Sequence, residues 1–114
     1  MKNRKNKTDT PINYEITTRS SGKGKVYISG QISGRKNYKT DFEKAERLLR
    51  KQGYDVYNPA RQTKGATLRA IMLLDILNLT QCDYIYFLPT ADSSEGSKIE
   101  RTFAQYVGIK ELIP

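Results

Sequence analysis

The chain contains no histidine, no tryptophan and a single cysteine, Cys82. Without histidine there is no imidazole acid–base catalysis, no histidine metal site and no Ser-His-Asp triad. One cysteine rules out an internal disulfide and any multi-cysteine zinc site, and it fits a reducing, cytoplasmic setting. No apolar run is long enough to span a membrane, and no signal-peptide hydrophobic segment follows the basic N-terminus. Acid–base chemistry in this chain therefore falls to carboxylates, tyrosine or lysine.

Its 114 residues are enough for one domain with a single core. The net charge of +8 raises the question of nucleic-acid binding. Residues 1–24 carry six Lys/Arg against Asp9 and Glu15, so half the excess lies in this stretch. It reads as a flexible basic tail, with an edge strand as an alternative over residues 12–18. The remaining charge is mixed with acids on helix surfaces. That pattern favours a mildly basic domain attracting phosphorylated ligands over a dedicated nucleic-acid face.

From Lys25 onward, strand and helix patterns alternate. Strands are expected at Val26–Ser29, Tyr54–Tyr57, Tyr84–Leu88 and Ile109–Ile113, and helices at Tyr38–Gln52, Thr67–Leu79 and Ser97–Val107. Thr40 and Glu43 are spaced for a capping box, and Gly53 suits the position after a helix end. Phe42, Ala45, Leu48 and Leu49 form the expected apolar stripe of the first helix. This alternation predicts an α/β fold of flavodoxin-like or Rossmann-like type. Its open parallel sheet has four to five strands, with helices on both faces. Ligands of such sheets bind beyond the C-terminal strand ends, here Ser29–Tyr38, Asn58–Ala66 and Leu88–Ser97.

Several features at those ends bear on chemistry. KVYISGQISG (25–34) runs from a strand through a glycine loop towards a helix, an arrangement suited to a phosphate or simply to a tight βα turn. Asp75 falls within the stripe of the second helix, marked by Leu68, Ile71, Met72, Ile76 and Leu79. A carboxylate there is costly unless paired or functional. Glu100 lies beside the apolar face of the third helix. Ser97-Lys98-Ile99-Glu100 also fits a capping box, which alone explains an acid there. Ser93–Ser97 is a second hydroxyl-rich loop before a helix. Asp83 is expected to hold a helix-to-strand turn.

In order, these pieces resemble the nucleoside 2-deoxyribosyltransferase-like superfamily, from Lys25 to about Leu112. The similarity is to its branch of deoxyribonucleoside 5′-monophosphate N-glycosidases, and above all to short phage and bacterial members of the YISGPISG…F…AE..L…G..V.NP type. KVYISGQISG, DFEKAERLLRKQGYDVYNPA, DILNLTQCDYIYFLP and SEGSKIERTFA carry the match. The resemblance implies a Glu100 nucleophile, a catalytic Asp75 and an active-site Tyr27. Ser94 falls where the monophosphate enzymes place a phosphate-binding serine. Ser29, Gly30, Ile32, Ser33 and Gly34 of the loop, with Asn58, Gly96 and Ser97, are expected to complete the substrate pocket. The implied reaction is retaining cleavage of a nucleotide's glycosidic bond, by two carboxyl groups roughly 5–5.5 Å apart. Asp75, its pKa raised by an apolar setting, would protonate the departing base. Neither metal nor organic cofactor is implied. A homodimer or larger homo-oligomer is.

Two positions depart from the family pattern. Gln31 replaces the loop proline, and Thr90-Ala91-Asp92 stands where a tryptophan is common. The sequence also ends soon after the last strand, where a neighbouring subunit's serine reaches the phosphate in those glycosidases; that contribution is expected to be absent or supplied otherwise. The alternative function is a non-catalytic nucleotide sensor or sequestering protein using the same pocket. Nucleic-acid binding through the tail ranks last.

Overall fold

A computed structural model describes residues 22–61 and 66–114. Four strands, β1 (Lys25–Ser29), β2 (Asp55–Tyr57), β3 (Tyr84–Phe87) and β4 (Lys110–Glu111), alternate with helices α1 (Tyr38–Lys51), α2 (Leu68–Leu79) and α3 (Glu95–Val107). Short 3-10 turns at Pro59–Arg61 and Pro89–Ser93 follow β2 and β3. The sheet is wholly parallel, in the order β2-β1-β3-β4. This is the flavodoxin-like α/β arrangement expected from the alternation. Most of the expected tail, and residues 62–65 of the loop after β2, lie outside the described residues.

The period-two alternation of β1 separates the two faces. Val26 and Ile28 pack with Val56, Leu88 and the α1 residues Phe42, Ala45 and Leu49. Tyr27 packs on the other face with Ile85, Cys82, Leu79 of α2 and Ala104 of α3. One helix thus covers one face and two cover the other. Asp83 plays the structural part expected of it, its carboxylate accepting the Lys25 N–H at 2.8 Å.

The helices correct several local expectations. In α1 the fourth buried position is Glu46, and Leu48 is 42% exposed. The sheet contact is centred on Phe42, Ala45 and Leu49, and Leu48 sits roughly 90° round the helix from that centre. The expected Thr40–Glu43 capping box does not form. The helix begins at Tyr38, as expected, with Asn37 as a cap that makes no side-chain bond. Gly53 does end the helix, at φ +100°. Its N–H donates to the Arg50 carbonyl and that of Tyr54 to the Leu49 carbonyl, closing the last turn as a Schellman motif. In α2, Asp75 and Leu79 are the buried residues, whereas Leu68 of the expected stripe is 76% exposed. The α3 cap is Ser94, whose Oγ accepts the Ser97 N–H at 3.1 Å. The helix therefore starts at Glu95, ahead of the expected Ser97. Glu100 falls in its second turn, too far along to cap it.

Candidate active site

In the 2-1-3-4 order, β1 is the point from which the chain goes first to one side and later to the other. Parallel sheets open a crevice beyond the strand ends at such a point. Ser29 ends β1 there, opposite Phe87 at the end of β3. Tyr27 and Ser29 share a face of β1, two residues apart, and both point towards α3. The second turn of α3 brings Glu100 over them.

Glu100 is 5% exposed. Tyr27 donates its hydroxyl to Oε2 at 2.7 Å, and Ser29 donates to Oε1 at 2.7 Å. Ser97 Oγ lies 2.8 Å from Ser29 Oγ. A serine hydroxyl has one proton, so when Ser29 donates to an ionised Glu100 it accepts from Ser97. Each carboxylate oxygen thus has one donor, and the chain of hydroxyls runs back to the N-terminal turn of α3.

Burial is the main force on the Glu100 carboxyl and pushes its pKa up. The Ser29 and Tyr27 bonds oppose this, and the charge of Asp75 adds to it, leaving a pKa of about 7. A carboxyl poised there changes charge near neutral pH, as catalytic carboxyls do. Tyr27 moves far above the usual phenol range through burial and the charges of Glu100 and Asp75. It stays a hydroxyl donor at any working pH. Asp75 is 7% exposed on the inner side of α2, close enough for its charge to act on both groups. The two carboxylates that the sequence marks as out of place thus act on one spot. Cys82, with its thiol pushed up to about 12 by burial, is inert packing.

The other expected residues divide. Ser94 and Gly96 lie at the start of α3, with Ser94 holding Ser97 in place. Gly30 follows Ser29, and the space where its side chain would be is taken by Leu88. A Cβ there would lie 2.6 Å from Leu88 Cδ1. This glycine is required by packing before any ligand is considered. Ile32 turns into the α1-side core, while Ser33 and Gly34 are exposed in the loop. Asn58 belongs elsewhere. Its side-chain amide donates to Glu46 at 3.1 Å and its oxygen accepts the Ala60 N–H, both away from Glu100.

Some neighbours of the site were not anticipated. Tyr57 stacks on Tyr27, with ring centroids 5.5 Å apart and planes 18° from parallel. The pairing of β1 with β2 places these rings side by side, and residue spacing gives no sign of that. Gln31 and Thr90, both departures from the family pattern, touch: the Gln31 N–H donates to Thr90 Oγ1 at 3.1 Å. A proline at 31 has no N–H to give. Glu46 was open to detection. It lies four residues after Phe42 and three before Leu49, the same reasoning that singled out Asp75.

Among the described residues, no three His, Cys, Asp or Glu side chains group as metal ligands would. No helix among them is long and apolar enough to cross a membrane. Neither the curated proteins nor the solved structures include a match to this chain. One family does match, over residues 24–112, and it takes in both loops, the Tyr27–Glu100 pair and all four strands: the chain belongs to the domain of unknown function family DUF4406.

Proposed function

We propose that the protein cleaves the N-glycosidic bond of a nucleoside monophosphate, with Glu100 as nucleophile. The observation that carries this reading is the buried Glu100 carboxyl, held by Tyr27 and Ser29 and poised near pH 7 beside a second buried acid, Asp75. Similarity of the strand, loop and helix motifs to the nucleoside 2-deoxyribosyltransferase-like superfamily supports it independently.

In the first step an ionised Glu100 oxygen attacks C1′ of the sugar as the C1′–N bond to the base breaks. Tyr27 and Ser29 each bind one carboxylate oxygen and keep a lone pair of the attacking oxygen directed outward. Asp75 gives its proton to the departing base. This division of roles needs the two neighbouring carboxyls to hold one proton between them, since two like charges at close range do not both ionise readily. In the second step water, or the nitrogen of another base, attacks C1′ and releases Glu100, and Asp75 recovers a proton. For the phosphate, Ser94 accepts the Ser97 N–H and keeps its own hydroxyl proton to donate. Ser33 and Gly34 supply the exposed part of the other loop.

The reading includes a homodimer. Leu73 and Leu77 of α2 are 71% and 53% exposed, on the helix that carries Asp75. A helix with large apolar residues on its outer side as well as its inner one is suited to burial on both.

The test is incubation with a panel of deoxynucleoside and ribonucleoside monophosphates, following free base. Turnover is expected with at least one, and Glu100→Ala is expected to lower it at least a thousandfold. Base release untouched by that change sinks the assignment. Saturable nucleotide binding with no release from any substrate replaces catalysis by a sensor or sequestering role.

A further inference from the structure

A second cluster of buried charge lies outside the Glu100 site, beside β2, the outermost strand on that side among the described residues. Glu46 is only 5% exposed on α1. Its carboxylate accepts from Arg50 Nε at 2.8 Å and Asn58 Nδ2 at 3.1 Å, and forms an ion pair with Arg61 Nη2 at 2.9 Å. Burial pushes the Glu46 carboxyl up. The bonds from Arg50 and Asn58 and the charge of Arg61 more than reverse this, and the net shift is downward. It stays ionised, as a fixed anchor.

What Glu46 anchors is exposed. The Arg50 and Arg61 side chains are 49% and 67% open to solvent. Both line a cavity of about 380 Å³ whose remaining wall includes Asn58, Tyr57 and Leu74. A wider groove sharing Glu46, Arg50 and Arg61 continues past Arg47 and Lys51. Arg50 has local duties. It pairs with Glu46 one helical turn away, lies 3.7 Å from Asp55 and reaches the Val56 carbonyl at 3.4 Å. Arg61 has none of these. Among the described residues its single partner is Glu46, through one terminal nitrogen. The rest of its planar fork is presented at the cavity. A buried carboxylate orienting two half-exposed guanidiniums is a costly way to make a surface ion pair, which contributes little by itself. It is an economical way to pre-order donors for an anion.

The geometry points to a phosphate-binding site in this cavity, with Arg61 and Arg50 as its cationic ligands and Glu46 as the positioning residue. Tyr57 and Leu74 form the flat apolar wall against which the body of a phosphorylated small molecule lies. The site is separate from Glu100, on the far side of the stacked Tyr27–Tyr57 pair, and does not depend on glycosidic chemistry. Guanidinium forks match tetrahedral phosphoryl oxygens two at a time.

The experiment is a titration of the isotopically labelled full chain, followed by magnetic resonance at the Arg50 and Arg61 Nε–H and Asn58 amide signals. Inorganic phosphate is used in one arm and dAMP in another. Saturable shifts at these groups are expected, displaced by sulfate but not by chloride at equal ionic strength. Arg61→Gln, at an exposed position, is expected to weaken binding at least tenfold, and Arg50→Lys, which keeps the charge but loses the fork, by less. Glu100→Ala should leave the phosphate titration unchanged. That control separates failure here from failure of the proposed reaction. If dAMP binds with the same Arg61 dependence and also moves Tyr57, the phosphoryl group belongs to a nucleotide. If inorganic phosphate alone does so, the free ion is the ligand. Either outcome supports the site. Shifts that never saturate, that fall only at residues 30–34 and 94–97, or that survive Arg61→Gln overturn it.

Discussion

At the scale of single residues, the proposed chemistry rests on an acid placed where solvation opposes its charge. Glu100 has its pKa raised to about 7 from an ordinary 4.5, chiefly by burial. A raised carboxyl pKa means the folded state holds the proton more tightly than the unfolded chain. Below pH 4.5 both states are protonated and the group has no effect. Between about 4.5 and 7 the unfolded chain ionises first, so stability falls as pH rises; above 7 the loss is constant. A shift of this size corresponds to something on the order of 3 kcal/mol. Glu100→Gln keeps the shape and removes the charge. Urea denaturation at pH 5 and pH 8 should show the wild type losing stability over this interval. The variant should lose less and be the more stable protein at pH 8. Parallel pH profiles for the two would show that Glu100 bears no such burden. A site that lowers stability when charged is the kind retained for function, since packing alone would replace it.

At the scale of elements, the loop after β1 is set by what lies beneath it. Gly30 is a glycine because Leu88 fills the space its side chain would need. Gly30→Ala is expected to destabilise by about 1–3 kcal/mol through overpacking. In a Leu88→Ala background the added methyl should cost markedly less, because Leu88 Cδ1 and Cγ are gone. Thermal or urea unfolding of the four proteins in this cycle checks the coupling. An additive pair would mean the glycine serves some end other than this contact. Helix α3 teaches a related point. Ser97-x-x-Glu100 satisfies the capping pattern as text, yet Ser94 caps the helix and frees Glu100 to face Tyr27. The two serines compete for one role, and only the path of the chain out of the Pro89–Ser93 turn decides between them.

At the scale of the whole molecule, one face of the sheet carries a single helix and the other carries two, and the carboxylates Asp75 and Glu100 come from those two. Helix α2 is apolar on its outer side as well as its inner one, with Leu68, Leu73 and Leu77 all more than half exposed. Under the proposed homodimer these leucines meet their counterparts. Sedimentation equilibrium is expected to give a dimer, and Leu73→Glu with Leu77→Glu a folded monomer with an unchanged circular dichroism spectrum. A wild-type monomer at micromolar concentration would end that part of the proposal.

Periodicity alone settles the order of strands and helices and the parallel sheet, because apolar runs bounded by turn residues encode burial directly. It also marks Asp75 and Glu100 as acids on the wrong faces. It does not say that the two act on one spot, since residues in different helices are brought together only by the β2-β1-β3-β4 order. The stacking of Tyr57 on Tyr27, the Gln31–Thr90 bond and the grip of Glu46 on Arg61 are of the same kind. Each joins residues from different elements of the chain. No local pattern carries such a contact, because its energy exists only once the sheet has set the distance.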